Sequence, residues 1–331
     1  MKITVAGSGA WGTALAVSLC SHQTTTLLCH SPEKAARMAQ SRENPRLRGI
    51  ELPQALQITA DPGCVCGQDL VVLASPSFAI RELCGQLLPH LSPETILVCV
   101  TKGIEQGTHL RMSQIVEELT GHTVVCLTGP SHAEEVAKAI PTACVAACPN
   151  QAIAETVQDA FMTESLRIYT SPDIVGAELG GALKNVIALC AGVVDGMGYG
   201  DNTKAMLMTR GLTEIARLGV ALGAQKETLA GLSGIGDLIV TCTSRHSRNR
   251  QAGVLIGQGK SVSQAMEEVG AVVEGYYAAR SARELAQAMG VEMPIVEASY
   301  QVLYQGKSAE EVIRQLLLRR RKAESEDAGW L

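Results

Sequence analysis

Aromatic side chains are scarce in this chain: two Trp, two Phe and six Tyr among 331 residues. A core without them must rest on Leu, Val, Ile, Ala and Met, which suits a helix-rich protein. Net basic charge is lacking as well. The formal charge of −5 argues against a general nucleic-acid binder, since such domains carry a positive field. CxxC spacing is absent despite 11 cysteines. The nearest pairs, Cys64 with Cys66 and Cys144 with Cys148, have neither zinc nor redox spacing and no second pair nearby. An odd number of thiols set mostly inside apolar runs reads as reduced cysteines acting as small hydrophobes in a reducing cytosol. No apolar run is expected to span a bilayer, and the opening MKITVAG enters a strand at once, leaving no room for a signal peptide. What remains is a composition of 46% apolar and 18% charged residues, at a length that predicts two domains.

The first half alternates short apolar runs with helical patterns: KITVAG, TTTLLC, DLVVLAS, TILVCVT, TVVCLTG and TACVAAC. Continuous β-rich runs of this kind indicate parallel strands buried on both faces, hence an α/β doubly wound sheet. Beyond Pro172 the apolar residues recur at helical spacing and no further strand is evident. The expected division is therefore an α/β domain over residues 1–178 and an all-helical domain over 179–331. The charged tail RRRKAESEDAGWL, about 319–331, is expected to fray.

At the start, Gly7-x-Gly9-x-x-Gly12 follows a strand and opens an apolar helix. Glycines there permit a tight turn, close approach of backbone to a pyrophosphate, and tight helix–strand packing, while the helix N-terminus supplies amide donors. In that context the motif reads as a Rossmann dinucleotide site. The ribose-binding acid expected about 20 residues on is missing. The second strand ends in Cys29-His30, with no carboxylate before Glu33. Without that acid a 2′-phosphate is not repelled, and His30 or Lys34 could meet it, so NADPH is expected to be accepted, with NADH as a second option. Three turns qualify for the ligand-facing ends of strands: Ser75-Pro76-Ser77, Thr101-Lys102-Gly103 and Gly129-Pro130-Ser131. Ser131 with Glu134 also reads as a capping box. A lysine at the mouth of the sheet, Lys102, reads as a catalytic or substrate contact.

The segment ELGGALKNVIALCAGVVD carries one charge between Glu178 and Asp195, namely Lys184. Leu179, Leu183, Val186, Ile187, Cys190 and Val193 make an apolar stripe. Lys184 lies off it, on a face reduced to Gly180, Gly181 and Ala188, where something can approach closely. Desolvation and a nearby cation such as Lys102 would lower its pKa until it could exchange a proton near neutrality. Beside a nicotinamide, its task would be to protonate a ketone oxygen. Asp237 reads either as a helix N-cap or as the group that orients Lys184, with Thr241 one turn on. The cluster TSRHSRNR then places Arg245, His246, Arg248 and Arg250 near the same pocket. An arginine fork with an amide and helix-end N–H groups suits a phosphate monoester, though arginines clamp carboxylates too.

With these residues assembled, the chain resembles the bacterial-type NAD(P)-dependent glycerol-3-phosphate dehydrogenases from Lys2 to about Leu318. The matching segments are GSGAWGTALA, TKGIE, GPSHAEEVA, ELGGALKNVIALCAGVVDGMGYGDNTKAML, GLSGIGDLIVTCTSRHSRNR and VVEG. Ser8 and Ala10 depart from the usual residues of the first turn. The resemblance implies reversible NAD(P)H-dependent reduction of dihydroxyacetone phosphate to sn-glycerol 3-phosphate for glycerophospholipid synthesis, by a cytoplasmic homodimer without stable membrane association. It implies Lys184 as general acid/base with Lys102 and Asp237 as catalytic partners. Substrate contacts would fall at Lys102, Gly129, Ser131, Lys184, Asn185 and Asp237, and at Thr241, Ser247, Arg248 and Asn249. Cofactor contacts would fall at Gly7, Gly9, Ala10, Trp11, Gly12 and His30, and at Lys102, Ala133, Arg248, Val272 and Glu274. A similar two-domain reductase acting on a carboxylate such as ketopantoate, or a redox sensor that only binds NADPH, are the alternatives.

Overall fold

The structure, a computed structural model, describes residues 1–321, 323 and 324. Most of the expected fraying tail lies outside the described residues. Eight strands form one sheet: β1 (Lys2–Ala6), β2 (Thr24–Leu28), β3 (Gln57–Thr59), β4 (Leu70–Leu73), β5 (Ile96–Cys99), β6 (Val124–Thr128), β7 (Thr142–Ala147) and β8 (Leu166–Ser171). Their spatial order is β3-β2-β1-β4-β5-β6-β7-β8. Helices α1 (Ala10–Cys20), α2 (Pro32–Ser41), α3 (Ile80–Leu87), α4 (Met112–Thr120), α5 (Ala133–Val136) and α6 (Gln151–Phe161) connect them. The order reverses between β1 and β4, so the glycine turn after β1 opens at the switch point where such sheets bind ligands.

Two details differ from the sequence reading. β3 and β8 are additional strands, and β6 pairs with β7 antiparallel where all-parallel pairing was expected. The connection over residues 129–141 explains the reversal. Its helix α5 has four residues, about 6 Å of rise, too little to carry the chain back along a five-residue strand of about 17 Å. The 11-residue α6 is long enough, and β8 returns parallel to β7.

All later elements are helical: α7 (Ile174–Gly196), α8 (Asp201–Ala221), α9 (Lys226–Leu229), α10 (Asp237–Thr243), α11 (Arg248–Gly257), α12 (Val262–Val269), α13 (Glu274–Ala288), α14 (Pro294–Gln305) and α15 (Ala309–Leu317). Asp173 starts α7, its carboxylate accepting the Gly176 N–H at 2.8 Å and the Gln225 N–H at 2.8 Å. Helix α7 begins just ahead of the expected boundary at residue 178 and forms the axis of the helical core, flanked by α8, α10, α11 and α13. Contrary to the expectation that no run could span a bilayer, α7 is long and apolar enough by composition. It is a core helix, with 89% of its most apolar window buried inside the protein. All eleven cysteines are free thiols, seven of them buried. Burial pushes thiols such as Cys144 and Cys242 up to about 12, so they remain protonated and unreactive.

One buried carboxylate carries a stability consequence. Glu214 on α8 is 4% exposed and accepts the Ile295 and Val296 N–H groups at the start of α14, at 2.8 and 3.3 Å. Burial pushes its carboxyl from an ordinary 4.5 up to about 7, against the opposing pull of those N–H groups, Arg217 and Arg319. The folded protein therefore holds a proton that the unfolded chain has already lost. Stability from this group is full below the unfolded value and declines as pH rises through the folded one. Glu214→Gln should remove that slope, altering the wild-type-minus-variant difference by roughly 3 kcal/mol between about pH 4.5 and 7, as read by chemical denaturation across the window.

Candidate active site

The glycine turn is built for close approach. Gly7 adopts φ +127°, and a Cβ there would lie 2.4 Å from the Ala74 carbonyl oxygen. A Cβ on Gly12 would lie 2.0 Å from the Gly7 oxygen, whereas one on Gly9 would meet nothing within 4 Å. The first and third glycines thus hold the turn together, and the second leaves bare backbone open to a ligand. Around it, the buried Ser8 Oγ and Trp11 Nε1 have no hydrogen-bond partner. Asn44, missed in the sequence, braces the turn through its Nδ2, which donates to Ser8 O at 3.2 Å and Thr13 Oγ1 at 2.7 Å. Ala10 and Trp11 pack beside Ala133 in a small cluster with Ala14 and Leu47. Unfilled donors above an open cradle fit a dinucleotide's pyrophosphate.

At the end of β2, His30 is exposed. Lys34 turns inward and donates to Ser8 O at 2.6 Å. Burial lowers its pKa, with Arg46 and Arg37 adding to the effect. No carboxylate of the described residues forms an ion pair with Lys34, Arg37 or Arg46, so this rim stays cationic.

The second half of the site is one shared carboxylate. Asp237, the first residue of α10, is 1% exposed. Its Oδ2 accepts Lys102 Nζ at 2.6 Å and its Oδ1 accepts Lys184 Nζ at 2.5 Å. Asp237 is thus not the cap of α10, where Gly236 holds that position. Lys184 also donates to Thr241 Oγ1 at 2.6 Å, and that hydroxyl donates to the Asp237 backbone oxygen at 2.6 Å. Lys102 further donates to Gly129 O at 3.1 Å. Burial pulls Lys184 down to about 8, Asp237 resisting and Lys102 assisting. Burial alone would raise Asp237, but the two ammonium groups outweigh it and hold the carboxyl below its ordinary value. The result is an ionised aspartate holding a lysine that titrates near neutrality.

The glycine face of α7 is a place of close approach, and other parts of the chain occupy it. A Cβ on Gly180 would lie 2.5 Å from Ser233 O, and one on Gly181 would lie 2.9 Å from Thr128 Oγ1 and 3.6 Å from the Lys102 side chain. The small residues admit the chain's own backbone and Lys102 rather than a ligand. Ser131 differs from the sequence reading. Helix α5 is capped by His132, and Ser131 Oγ donates to Gly129 O at 2.9 Å, so no capping box with Glu134 forms.

The basic cluster separates into distinct roles. Arg250 is committed to Asp195 through Nε at 2.7 Å and an NH2 contact at 2.6 Å. Ser247 caps α11, accepting the Arg250 N–H at 3.2 Å. Asn249 is tied on both sides, its Nδ2 donating to Asn185 Oδ1 at 2.8 Å and its Oδ1 accepting the Gly275 N–H at 2.9 Å. The Arg248 guanidinium makes no hydrogen bond or ion pair among the described residues. It is accessible to solvent yet crowded by protein atoms, as in a cleft, and that crowding lowers its pKa while Glu274 and Glu134 counteract. Glu274 lies across from it, accepting Ser77 N at 3.2 Å and Ser77 Oγ at 2.7 Å. Val272 lies half-buried just before α13. The Ser77 contact was not read from the sequence, although its turn was marked as ligand-facing. Nor was the ion pair of Arg111 with Glu178, which fixes the start of α7 against α4 with Ser113 Oγ at 2.6 Å.

Comparison with known proteins gives one answer along the chain. Residues 2–154 match the model of the NAD-dependent glycerol-3-phosphate dehydrogenase N-terminus, and residues 173–314 match that of its C-terminus. The chain is 50% identical to glycerol-3-phosphate dehydrogenase [NAD(P)+] of Desulfitobacterium hafniense (strain Y51), covering 100% of this chain and 95% of the relative. It is 49% identical to the protein of that name from Thermoanaerobacter sp. (strain X514), over 98% and 99%. The crystal structure of glycerol-3-phosphate dehydrogenase from Coxiella burnetii superposes with a TM-score of 0.92 at 33% identity, over 96% and 99% of the two chains. Cofactor choice should be decided at the β2 rim. His30→Asp is expected to shift the kcat/KM ratio of NADPH to NADH towards NADH by roughly tenfold, the factor about 1.4 kcal/mol of charge repulsion represents; an unchanged ratio would remove His30 from that role.

Proposed function

This chain belongs to the NAD-dependent glycerol-3-phosphate dehydrogenase family, and from that premise we propose roles for its individual residues. The protein is an oxidoreductase that reduces dihydroxyacetone phosphate to sn-glycerol 3-phosphate, a precursor of glycerophospholipids. The nicotinamide dinucleotide, NADPH or NADH, supplies the hydride when bound over the Gly7–Gly12 turn. Lys184 is the general acid that protonates the ketone oxygen, and the base in the reverse direction. The observation that carries this reading is the Lys102–Asp237–Lys184 arrangement, in which a buried lysine is tuned to about 8. Asp237 holds the Lys184 ammonium by one oxygen and Lys102 by the other. Thr241 supports the same nitrogen. Lys102 stands at the mouth of the sheet and reaches both cofactor and substrate.

Arg248, free among the basic cluster, anchors the substrate phosphate, aided by Ser247 and the N–H groups that open α11. Asn185 and Asn249, tied to each other, brace that wall rather than offering open donors. Gly129 and Ser131 line the opposite side; Ala133, Val272 and Glu274 border the cofactor. The same reading carries a cytoplasmic homodimer without stable membrane association, to which free thiols and a buried α7 are suited. The domains divide as residues 1–178 for the dinucleotide and 179–331 for substrate and proton transfer.

Three outcomes are expected. Lys184→Met should lower kcat at least about 100-fold while leaving NADPH binding intact, since general acid catalysis contributes about 10²–10⁴-fold. In the wild type, reduction needs the protonated lysine, so kcat/KM should fall as pH rises through about 8, while the reverse oxidation gains over the same range. Stopped-flow absorbance across pH checks both. Arg248→Ala should cost roughly 2–3 kcal/mol in kcat/KM for dihydroxyacetone phosphate, with partial rescue by Lys, and should leave the poor turnover of unphosphorylated dihydroxyacetone almost unchanged. Equal losses with both substrates would move Arg248 out of the phosphate site.

A further inference from the structure

His132 belongs to none of the networks above, and its surroundings are unusual. Its Nε2 is buried and is one of four buried side-chain atoms among the described residues without a hydrogen-bond partner. Leaving such an atom unpaired costs about 1–3 kcal/mol, so it calls for a partner that the chain itself does not supply. The ring rests against His246, with centroids 5.9 Å apart and planes tilted by 57°. Each histidine adjoins the proposed substrate wall. His132 follows Ser131, whose hydroxyl shares the Gly129 carbonyl with Lys102. His246 precedes Ser247 and Arg248.

From this arrangement we propose that His132 is a further substrate-contacting residue, its Nε2 donating to the substrate phosphate opposite Arg248 while His246 holds the ring in place. The proposal deepens the phosphate-site reading and rests on it. The charges around the ring support the placement. Burial and then Lys184 from α7 lower the imidazole pKa, while Glu135 and Glu134 from α5 and the Val240 carbonyl from α10 oppose them. Glu134 also acts on Arg248, so one carboxylate is near both the ring and the guanidinium. The ring is therefore neutral at neutral pH in the free protein. The Val240 carbonyl acts on the ring from α10. A phosphate oxygen at Nε2 would add a second acceptor beside the ring, and only the doubly protonated imidazolium can donate to two acceptors. The substrate's negative charge favours that form as well. Phosphate binding should thus bring a proton onto His132.

The test uses full-length protein with sn-glycerol 3-phosphate, dihydroxyacetone phosphate and unphosphorylated dihydroxyacetone. Wild-type turnover of dihydroxyacetone phosphate is measured first, because its absence would defeat the underlying reading and not this one alone. In calorimetry at about pH 6.5–7, in two buffers of different ionisation heat, wild-type binding of glycerol 3-phosphate should take up a measurable fraction of a proton. His132→Phe keeps a ring against His246 but loses the donor. It should abolish the uptake and raise KM for dihydroxyacetone phosphate about tenfold, with kcat within about twofold and dihydroxyacetone turnover unchanged. His132→Gln, which keeps a donor without a titrating group, should recover part of the affinity and none of the uptake. Proton uptake that persists in His132→Phe, an unaltered KM, or equal losses with both substrates would each overturn the proposal. NADPH binding by both variants, followed by fluorescence, reports whether they fold; if His132→Phe does not bind it, the glutamine variant alone decides by the same criteria.

Discussion

The proposed active centre depends on one buried carboxylate shared by two lysines from different parts of the chain. Lys102 comes from the loop after β5 and Lys184 from the middle of α7, and Asp237 accepts both at hydrogen-bond distance. Each charge alone would be costly to bury. Together they fix the seam between sheet and helical core, because moving Asp237 would leave both lysines without their counter-charge. The same economy sets the chemistry. Two cations for one anion leave excess positive charge in a desolvated place, and Lys184 relieves it by giving up its proton more readily.

That geometry requires helix α7 to lie very close to its neighbours. Gly180 admits the Ser233 backbone and Gly181 admits Lys102 and Thr128, and larger residues there would push the lysine pair apart. Asp173 and Glu178 anchor the start of the helix, one as its cap and one through Arg111 and Ser113. A helix apolar enough for a membrane is thereby committed to a protein interior, with its one central charge directed at the seam.

Local signals were the legible ones. The Gly7–Gly12 turn needs nothing beyond its own residues to be recognised, and Lys184 stood out because its segment holds no other charge. The partnership of Lys102 with Asp237 joins residues 135 positions apart, and no periodicity reports such a meeting. β8 escaped notice for a different reason. Leu166 and Ile168 point inward while Arg167 and Tyr169 point out, the alternation of a sheet-edge strand, where continuous apolar runs were sought. Ser131 followed by Glu134 imitates a capping box, but the four-residue α5 begins one position later and the hydroxyl turns to Gly129. The glycine face of α7 was read as a place of close approach with its visitor left open, since a sequence does not say whether backbone or ligand fills a gap.

The polar groups of this site divide by whether they are already satisfied, and the division follows their tasks. Lys102, Lys184, Asp237, Thr241, Asn185 and Asn249 find their partners within the protein. In the proposed roles such groups would present a fixed field to a reacting carbonyl, with nothing to reorganise when charge develops. Among the described residues, Ser8 Oγ, Trp11 Nε1, Thr128 Oγ1 and His132 Nε2 are buried without partners, and the Arg248 guanidinium is unpaired. The orphan atoms belong to the end of β6, the turns after β1 and β6 and, for Trp11, the first turn of α1, all beyond the strand ends at which a doubly wound sheet receives its ligands. Their unmet hydrogen bonds weaken the free protein slightly and are restored by ligands that bring acceptors or donors to them. On the proposed roles, remote binding energy would be held in loops and strand ends, and the Lys102–Asp237–Lys184 centre behind them already has its own partners, so a phosphate and a dinucleotide would be gripped without breaking those bonds.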